Sequence, residues 1–160
     1  MASRMFFSPK SAEFPSSDFP QFDLVNRRPV LAFDASTDET CYWTGIAPQG
    51  LSGAITVVVT YIMASATSGD VVLDARLEAI TDADATDLDS ATSFDSANLS
   101  ATTAVPGTAG YMEQISITMT NDDSLAAGDY FRLSLMRDVD PNDDATGDLL
   151  VLGVELRDAA

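Results

Sequence analysis

The sequence predicts an all-β fold: an antiparallel β-sandwich, jelly-roll-like, with an extended N-terminal arm. Three observations predict it. Apolar residues alternate with period two in several runs, most clearly over 55–63 and 71–79. Clusters of Gly, Pro, Asn, Asp and Ser separate these runs at spacings of about 8–12 residues, as turns do in sandwiches. No stretch carries a helical repeat or a heptad, and no internal repeat is visible.

Residues 1–29 form the arm, and residues 30–160 the sandwich domain. The arm holds five of the eight phenylalanines (Phe6, Phe7, Phe14, Phe19, Phe22) and four of the seven prolines (Pro9, Pro15, Pro20, Pro29). Prolines at this spacing remove backbone donors, so neither helix nor ladder is expected, and the segment reads as extended. Aromatics are scarce in tails that stay disordered, because buried aromatic area is what offsets ordering entropy. The phenylalanines therefore dock onto something. Either they wrap their own domain or they anchor in a neighbouring subunit, and the second reading is preferred by analogy with aromatic hot spots. Arg27 and Arg28, at the root of the arm, are candidates for ion pairs with an acidic partner surface or with the body's own carboxylates.

The body follows in order. Residues 29–33 read as a first strand, 34–39 as a polar turn, and 40–46 (TCYWTGI) as a second strand with Tyr42 facing opposite to Cys41 and Trp43. Pro48-Gln49-Gly50 turns the chain into two long runs. In the first, Ile55, Val57, Val59, Tyr61 and Met63 share one face; in the second, Val71, Leu73, Ala75, Leu77 and Ala79 do. A long antiparallel hairpin is expected from them, with Asp74, Arg76 and Glu78 on a solvated outer face. Residues 82–90 (DADATDLDS) are a charged loop, 93–94 a brief strand or turn, 98–105 a weak edge strand, and 106–110 a breaker. Strands are expected again over 111–120, 129–137 and 148–157, with 121–128 a turn.

Composition limits the chemistry. With 160 residues there is room for one domain, and no apolar run approaches the ~18 residues of a membrane span. The opening MASRMFFSPK lacks the apolar segment of a secretory signal, so no export is expected. The net charge of −17 is uneven: the arm sets Arg4, Lys10, Arg27 and Arg28 against Glu13, Asp18 and Asp23, while the body has only Arg76, Arg132, Arg137 and Arg157 as cations. Nucleic acid and anionic membranes should be repelled by such a body. There is no histidine and a single cysteine, Cys41, which removes His-dependent nucleophiles, the commonest zinc ligand and any intrachain disulfide. Cys41 reads as a small core hydrophobe. No catalytic residue, cofactor or metal is assigned.

Two aspartate clusters invite comparison with calcium loops: Asp82, Asp84, Asp87 and Asp89, and Asp138, Asp140, Asn142, Asp143 and Asp144. The second begins D-x-D-x-N, yet Asp143 stands where an EF-hand needs glycine and Leu149 where it needs glutamate. Solvated hairpin loops account for both. Carbohydrate binding, a common use of sandwiches, wants exposed aromatic platforms; Trp43 reads as a core residue rather than a platform, and Tyr61 as core-facing.

The segments RRPVLAFD (27–34), the Tyr42-Trp43 strand, MASATSGDV (63–71), AAGDYFRL (126–133), MRDVD (136–140) and VELRD (154–158) resemble small β-sandwich structural proteins of tailed-phage virions. The resemblance implies a head-decoration, cement or tail-fibre module, commonly a homotrimer, made in the host cytoplasm and carried in the virion. Its partners would be copies of itself and the major capsid protein or another virion protein. Read with the arm, this gives a non-enzymatic structural protein fastened through its phenylalanines, whose body should stay folded when residues 2–26 are removed. The alternative is a carbohydrate-binding receptor module at a fibre tip, with a host-surface glycan as partner.

Overall fold

A computed structural model describes residues 3–159; residues 1 and 2 of the arm and residue 160 of the sandwich domain lie outside the described residues. The strands in chain order are Arg4–Phe7 (β1), Gln21–Val25 (β2), Arg28–Phe33 (β3), Thr40–Ile46 (β4), Ile55–Met63 (β5), Asp70–Val71 (β6), Leu73–Ile80 (β7), Asn98–Leu99 (β8), Thr103–Ala104 (β9), Glu113–Met119 (β10), Tyr130–Arg137 (β11) and Leu149–Asp158 (β12). A short 3-10 turn, Pro9–Ser11, follows β1. All pairings are antiparallel, in a six-stranded sheet of order β10-β5-β12-β3-β2 with β1 also on β12, a four-stranded sheet β4-β11-β7-β8, and a small β6-β9 pair. The two large sheets face each other as an all-β antiparallel sandwich, and the fold class expected from the alternation is the one observed.

The alternation names the buried faces correctly. Val57, Val59, Tyr61 and Met63 of β5 and Leu73, Ala75 and Leu77 of β7 meet Trp43, Phe33, Phe131 and Leu133 in one core. Tyr61 is wholly buried, its hydroxyl has no acceptor among the described residues, and burial pushes its phenol up to about 12.

The expected hairpin between β5 and β7 does not form. β5 pairs with β10 and β12, whereas β7 pairs with β11 and β8 in the opposite sheet. Residues 64–69 are a crossover between sheets. Period-two patterning fixes which face is buried and says nothing about the lateral neighbour. The crossover ends at Gly69. Its φ is +92°, and a Cβ there would come within 2.8 Å of the Ala145 backbone, so only glycine fits.

The arm is extended and lies on its own body. β1 pairs with β12 over Arg4↔Arg157 to Phe7↔Val154, beside the stretch of β12 taken by β3. The chain then crosses to the other sheet: the Trp43 indole N–H donates to the Ser8 carbonyl at 3.0 Å, Glu13 and Tyr42 exchange backbone bonds of 2.7 and 2.9 Å, and Thr40 N–H donates to the Asp18 carbonyl at 2.8 Å. It returns as β2, hairpinned to β3 through Asn26 and Arg27, both at positive φ (46° and 67°) as a type I′ turn requires. These ladders run against the expectation from the prolines. They form because Pro9, Pro15 and Pro20 fall between the strands, leaving the donors of 4–7 and 21–25 intact.

Candidate functional site

The outward side chains of the four-stranded sheet converge on one cleft. The register aligns Tyr42, Ser134 and Arg76 in one row and Thr40, Met136 and Asp74 in the next, across β4, β11 and β7. Over these rows folds the loop that follows β7, and it brings Phe94 onto Tyr42 in a stacked pair, centroids 5.5 Å apart and planes at 28°. The resulting open cleft has a volume of about 250 Å³ and is lined by Thr40, Tyr42, Asp74, Arg76, Phe94, Ser134 and Met136.

Three carboxylates, one of them buried, hold that loop in place. Glu78 accepts the N–H and hydroxyl of Ser93; Asp95 N–H donates to the Leu77 carbonyl at 2.9 Å. Asp95 in turn accepts Asp123 N–H at 3.0 Å, and Asp123 accepts Ala79 N–H at 2.7 Å. The outer face of β7 is only in part the solvated face expected: Glu78, which takes Ser93 of the loop, is 2% exposed and Asp74, which takes Arg76, is 3%, whereas the Arg76 side chain stays 44% exposed. A polar strand residue such as Glu78 becomes an interior one where a loop lies on it and satisfies its acceptors.

The electrostatics are those of a fixed polar wall. Asp74 binds Arg76 through Nη2 at 2.7 Å and Nε at 3.1 Å, and this hydrogen-bonded pairing raises the Arg76 guanidinium further above its already high ordinary value. Arg132 lies 4.6 Å from the Tyr42 ring centroid and 5.8 Å from that of Phe94, with Nη2 3.5 Å from Glu13 of the arm. Its Nε–H is buried without an acceptor among the described residues. The cleft thus offers aromatic faces, guanidinium donors, a carboxylate and hydroxyls. Cys41 points the other way, buried in the core, where desolvation pushes its thiol well up.

The residues singled out from the sequence scatter. Phe7 is a core residue of its own sandwich, 5% exposed, edge-on to Phe131 at 6.1 Å and tilted on Trp43 at 6.2 Å, so its ring is not free to anchor elsewhere. Phe6 (69% exposed) lies on the outer face of the six-stranded sheet above Gly153, where a Cβ would run into its ring. Phe14 and Phe19 pack on each other at 5.4 Å, and Phe22 is exposed on β2. Arg27 and Arg28 sit at the exposed β2–β3 tip, with no carboxylate within 4.0 Å among the described residues; Arg28 lines a second, more apolar cleft of about 400 Å³ with Val25, Ile62, Met112 and Leu152. Trp43 is fully buried and is no platform. In the aspartate loops Asp84, Asp87 and Asp140 accept N–H groups of their own loops, Asp144 accepts Asp70 N–H and Asp143 pairs with Arg137 and Val72 N–H; no group of three or more metal-ligating side chains occurs among the described residues. What the sequence does not reveal is the Tyr42–Phe94 pair. The alternation turns Tyr42 outward, but no local signal sets a residue of an irregular loop on top of it.

No family model and no curated protein matches the chain. Solved structures do. A family 35 carbohydrate-binding module from Cellvibrio japonicus Abf62 superposes with a TM-score of 0.55 at 11% identity, covering 96% of this chain and 92% of its own. A native family 35 module from Clostridium thermocellum gives 0.46 at 10% identity over 98% and 99%, and the mannan-recognising module TmCBM27 gives 0.44 at 14% over 99% and 96%. At such identities the first of these establishes a shared jelly-roll sandwich and nothing finer.

Proposed function

We propose that this chain is a non-catalytic carbohydrate-binding module and that the sugar lies in the cleft of the four-stranded sheet. The observation that carries the reading is the stacked Tyr42–Phe94 pair beside Asp74, Arg76, Ser134 and Thr40 in one open cleft. A sugar ring has an apolar C–H face and an equatorial rim of hydroxyls. The aromatic pair meets the first, while the guanidinium, carboxylate and hydroxyls meet the second with charge-assisted hydrogen bonds. The wall is rigid because Asp74 holds Arg76 and Glu78 holds the loop carrying Phe94, so little ordering cost falls on binding. Aromatic contact of about 0.5–1.5 kcal/mol and charged hydrogen bonds of about 1.5–3 kcal/mol each give affinities between millimolar and micromolar. The fold shared with a carbohydrate-binding module supports the reading.

A glycan array followed by titration calorimetry tests it. Saturable binding of at least one glycan is expected, and Tyr42→Ala or Phe94→Ala should weaken it roughly tenfold or more, about 1.4 kcal/mol, with unchanged urea unfolding. Absence of saturable binding at millimolar glycan, or wild-type affinity in both variants, refutes the site.

A second reading keeps the virion role. Its support is the resemblance in 27–158 together with the exposed Phe6, Phe22, Arg27 and Arg28, which leave apolar and cationic side chains free on an otherwise acidic body. In that reading a trimeric decoration or fibre module joins its particle through these residues, and a fibre that recognises a host glycan satisfies both readings. Cryo-electron microscopy of the particle decides it: density for this fold at head or tail supports the role, and its absence removes it.

A further inference from the structure

We propose that β10 is the seam of a two-fold homodimer in which the six-stranded sheets of two copies join edge to edge. Among the described residues the other lateral edges are covered, short or charged, and the edge strand β1 is four residues long and carries Arg4. The β4 edge is closed by the arm through Glu13 and Asp18. β8 is two residues long. β2 is five residues long with the charged Asp23 at its centre and Pro20 just before it. β10 runs straight for seven residues, Glu113–Met119, without proline, lysine or bulge, and from Gln114 to Thr120 it bears no charge. Long, uncharged, unblunted edges are what a further strand adds to.

The hydrogen-bond phase identifies which groups are on offer. Ala64 N–H donates to Asp148 on the β12 side at 3.0 Å, whereas the Met63 carbonyl accepts Gly110 N–H on the β10 side at 3.0 Å. Alternation then turns Tyr61, Val59 and Val57 of β5 toward Glu113, Ile115 and Ile117. The backbones of Gln114, Ser116 and Thr118 are left facing outward. Gln114 N–H accordingly reaches only the carboxylate of its neighbour Glu113, at 3.1 Å.

An antiparallel copy centred on Ser116 complements this edge. Ser116 exchanges backbone bonds with Ser116 of the partner subunit, and Gln114 with Thr118 of the partner subunit. Ile115 lies beside Ile117 of the partner subunit on the core side, and Glu113 faces Met119 of the partner subunit, so no like charges meet across the seam. The −17 charge of each copy opposes the approach, and salt should favour it.

Sedimentation velocity of the full chain in about 0.1 M and about 1 M NaCl, where the screening length falls from ~10 to ~3 Å, provides the test. Wild type should be dimeric in high salt and more dissociated in low salt. Because residue 116 meets itself across the axis, Ser116→Lys and Ser116→Asp should each be monomeric, and their equimolar mixture should recover the dimer. Ser116 is exposed and its N–H lies outside the β5 ladder, so in about 0.1 M NaCl and at dilution, where wild type is dissociated, thermal unfolding of both variants should match it. A wild type that is monomeric in both salts or forms trimers, single variants that dimerise undiminished, or a mixture that stays monomeric overturns the proposal.

Discussion

Replacing Asp143 by alanine should be among the most destabilising single changes in the molecule. Arg137 and Asp143 are both fully buried, and they pair through two bonds, Nε to Oδ2 at 3.0 Å and Nη2 to Oδ1 at 2.8 Å. Asp143 also accepts Val72 N–H at 3.1 Å, while the remaining Arg137 donors reach the carbonyls of Gly147 (2.9 Å), Ala145 (2.7 Å) and Phe33 (3.4 Å). One guanidinium thus ties the loop before β12 to the end of β3. Asp143→Ala leaves that guanidinium in the interior with carbonyl dipoles but no counter-charge, and removal of one partner from such a pair costs about 3–5 kcal/mol. For a chain of this size that is a fall of roughly 6–20 °C in Tm at about 2–4 °C per kcal/mol. Urea denaturation at pH 7 with circular dichroism measures it. The double variant Arg137→Met/Asp143→Leu should recover much of the loss, because an apolar pair carries no desolvation penalty. A cost below about 1 kcal/mol for Asp143→Ala, or a double variant as unstable as the sum of the singles, would refute the claim that the uncompensated charge is what matters.

Phe7→Ala should cost about 3–5 kcal/mol as a core truncation, against about 1 kcal/mol or less for the exposed Phe6→Ala or Phe22→Ala, read from the same urea curves. Removing residues 2–26 should unfold the body, contrary to the expectation drawn from the sequence, because it strips β1 and β2 and uncovers Trp43 and the β4 edge; retained cooperative unfolding would show those contacts to be dispensable. Asp138 has its carboxyl raised above the ordinary value of 3.8, first by burial and then by Asp140, Asp38 and Asp74. A carboxyl that holds its proton more tightly in the folded state weakens the fold as pH rises through that folded value, and still does so at pH 7. Asp138→Asn should therefore be more stable than wild type at pH 7, with the difference vanishing below pH 3.8; urea midpoints at the two pH values check it, and an unchanged difference would rule it out.

Strand positions are legible in the sequence because they depend on local pattern. The expected strand over 40–46 is β4, and those over 129–137 and 148–157 fall within a residue of β11 and β12. Partnership is not legible. β5 and β7 are near neighbours in sequence with complementary apolar faces, yet they enter opposite sheets, since the strands that flank each come from distant parts of the chain. The arm misleads for a related reason: its prolines count as breakers without regard to phase, and only the fold shows that Pro9, Pro15 and Pro20 fall between β1 and β2 while Pro29 sits within β3 opposite Leu24. The candidate cleft is half visible. Tyr42, Arg132, Ser134 and Arg76 share their outward phase in the sequence, but Phe94 arrives there through Glu78 and Ser93, a polar contact that no apolar periodicity encodes.

The position of β12 governs the order in which the protein can be made. β12 lies in the interior of the larger sheet, with β5 on one side and β3 and β1 on the other. A growing chain on the ribosome therefore holds β1, β3 and β5 as unclosed edges until residue 158 has emerged, and the larger layer zips shut only then. Folding should be slow, and a nascent chain arrested before 149 should be protease-sensitive throughout its first half.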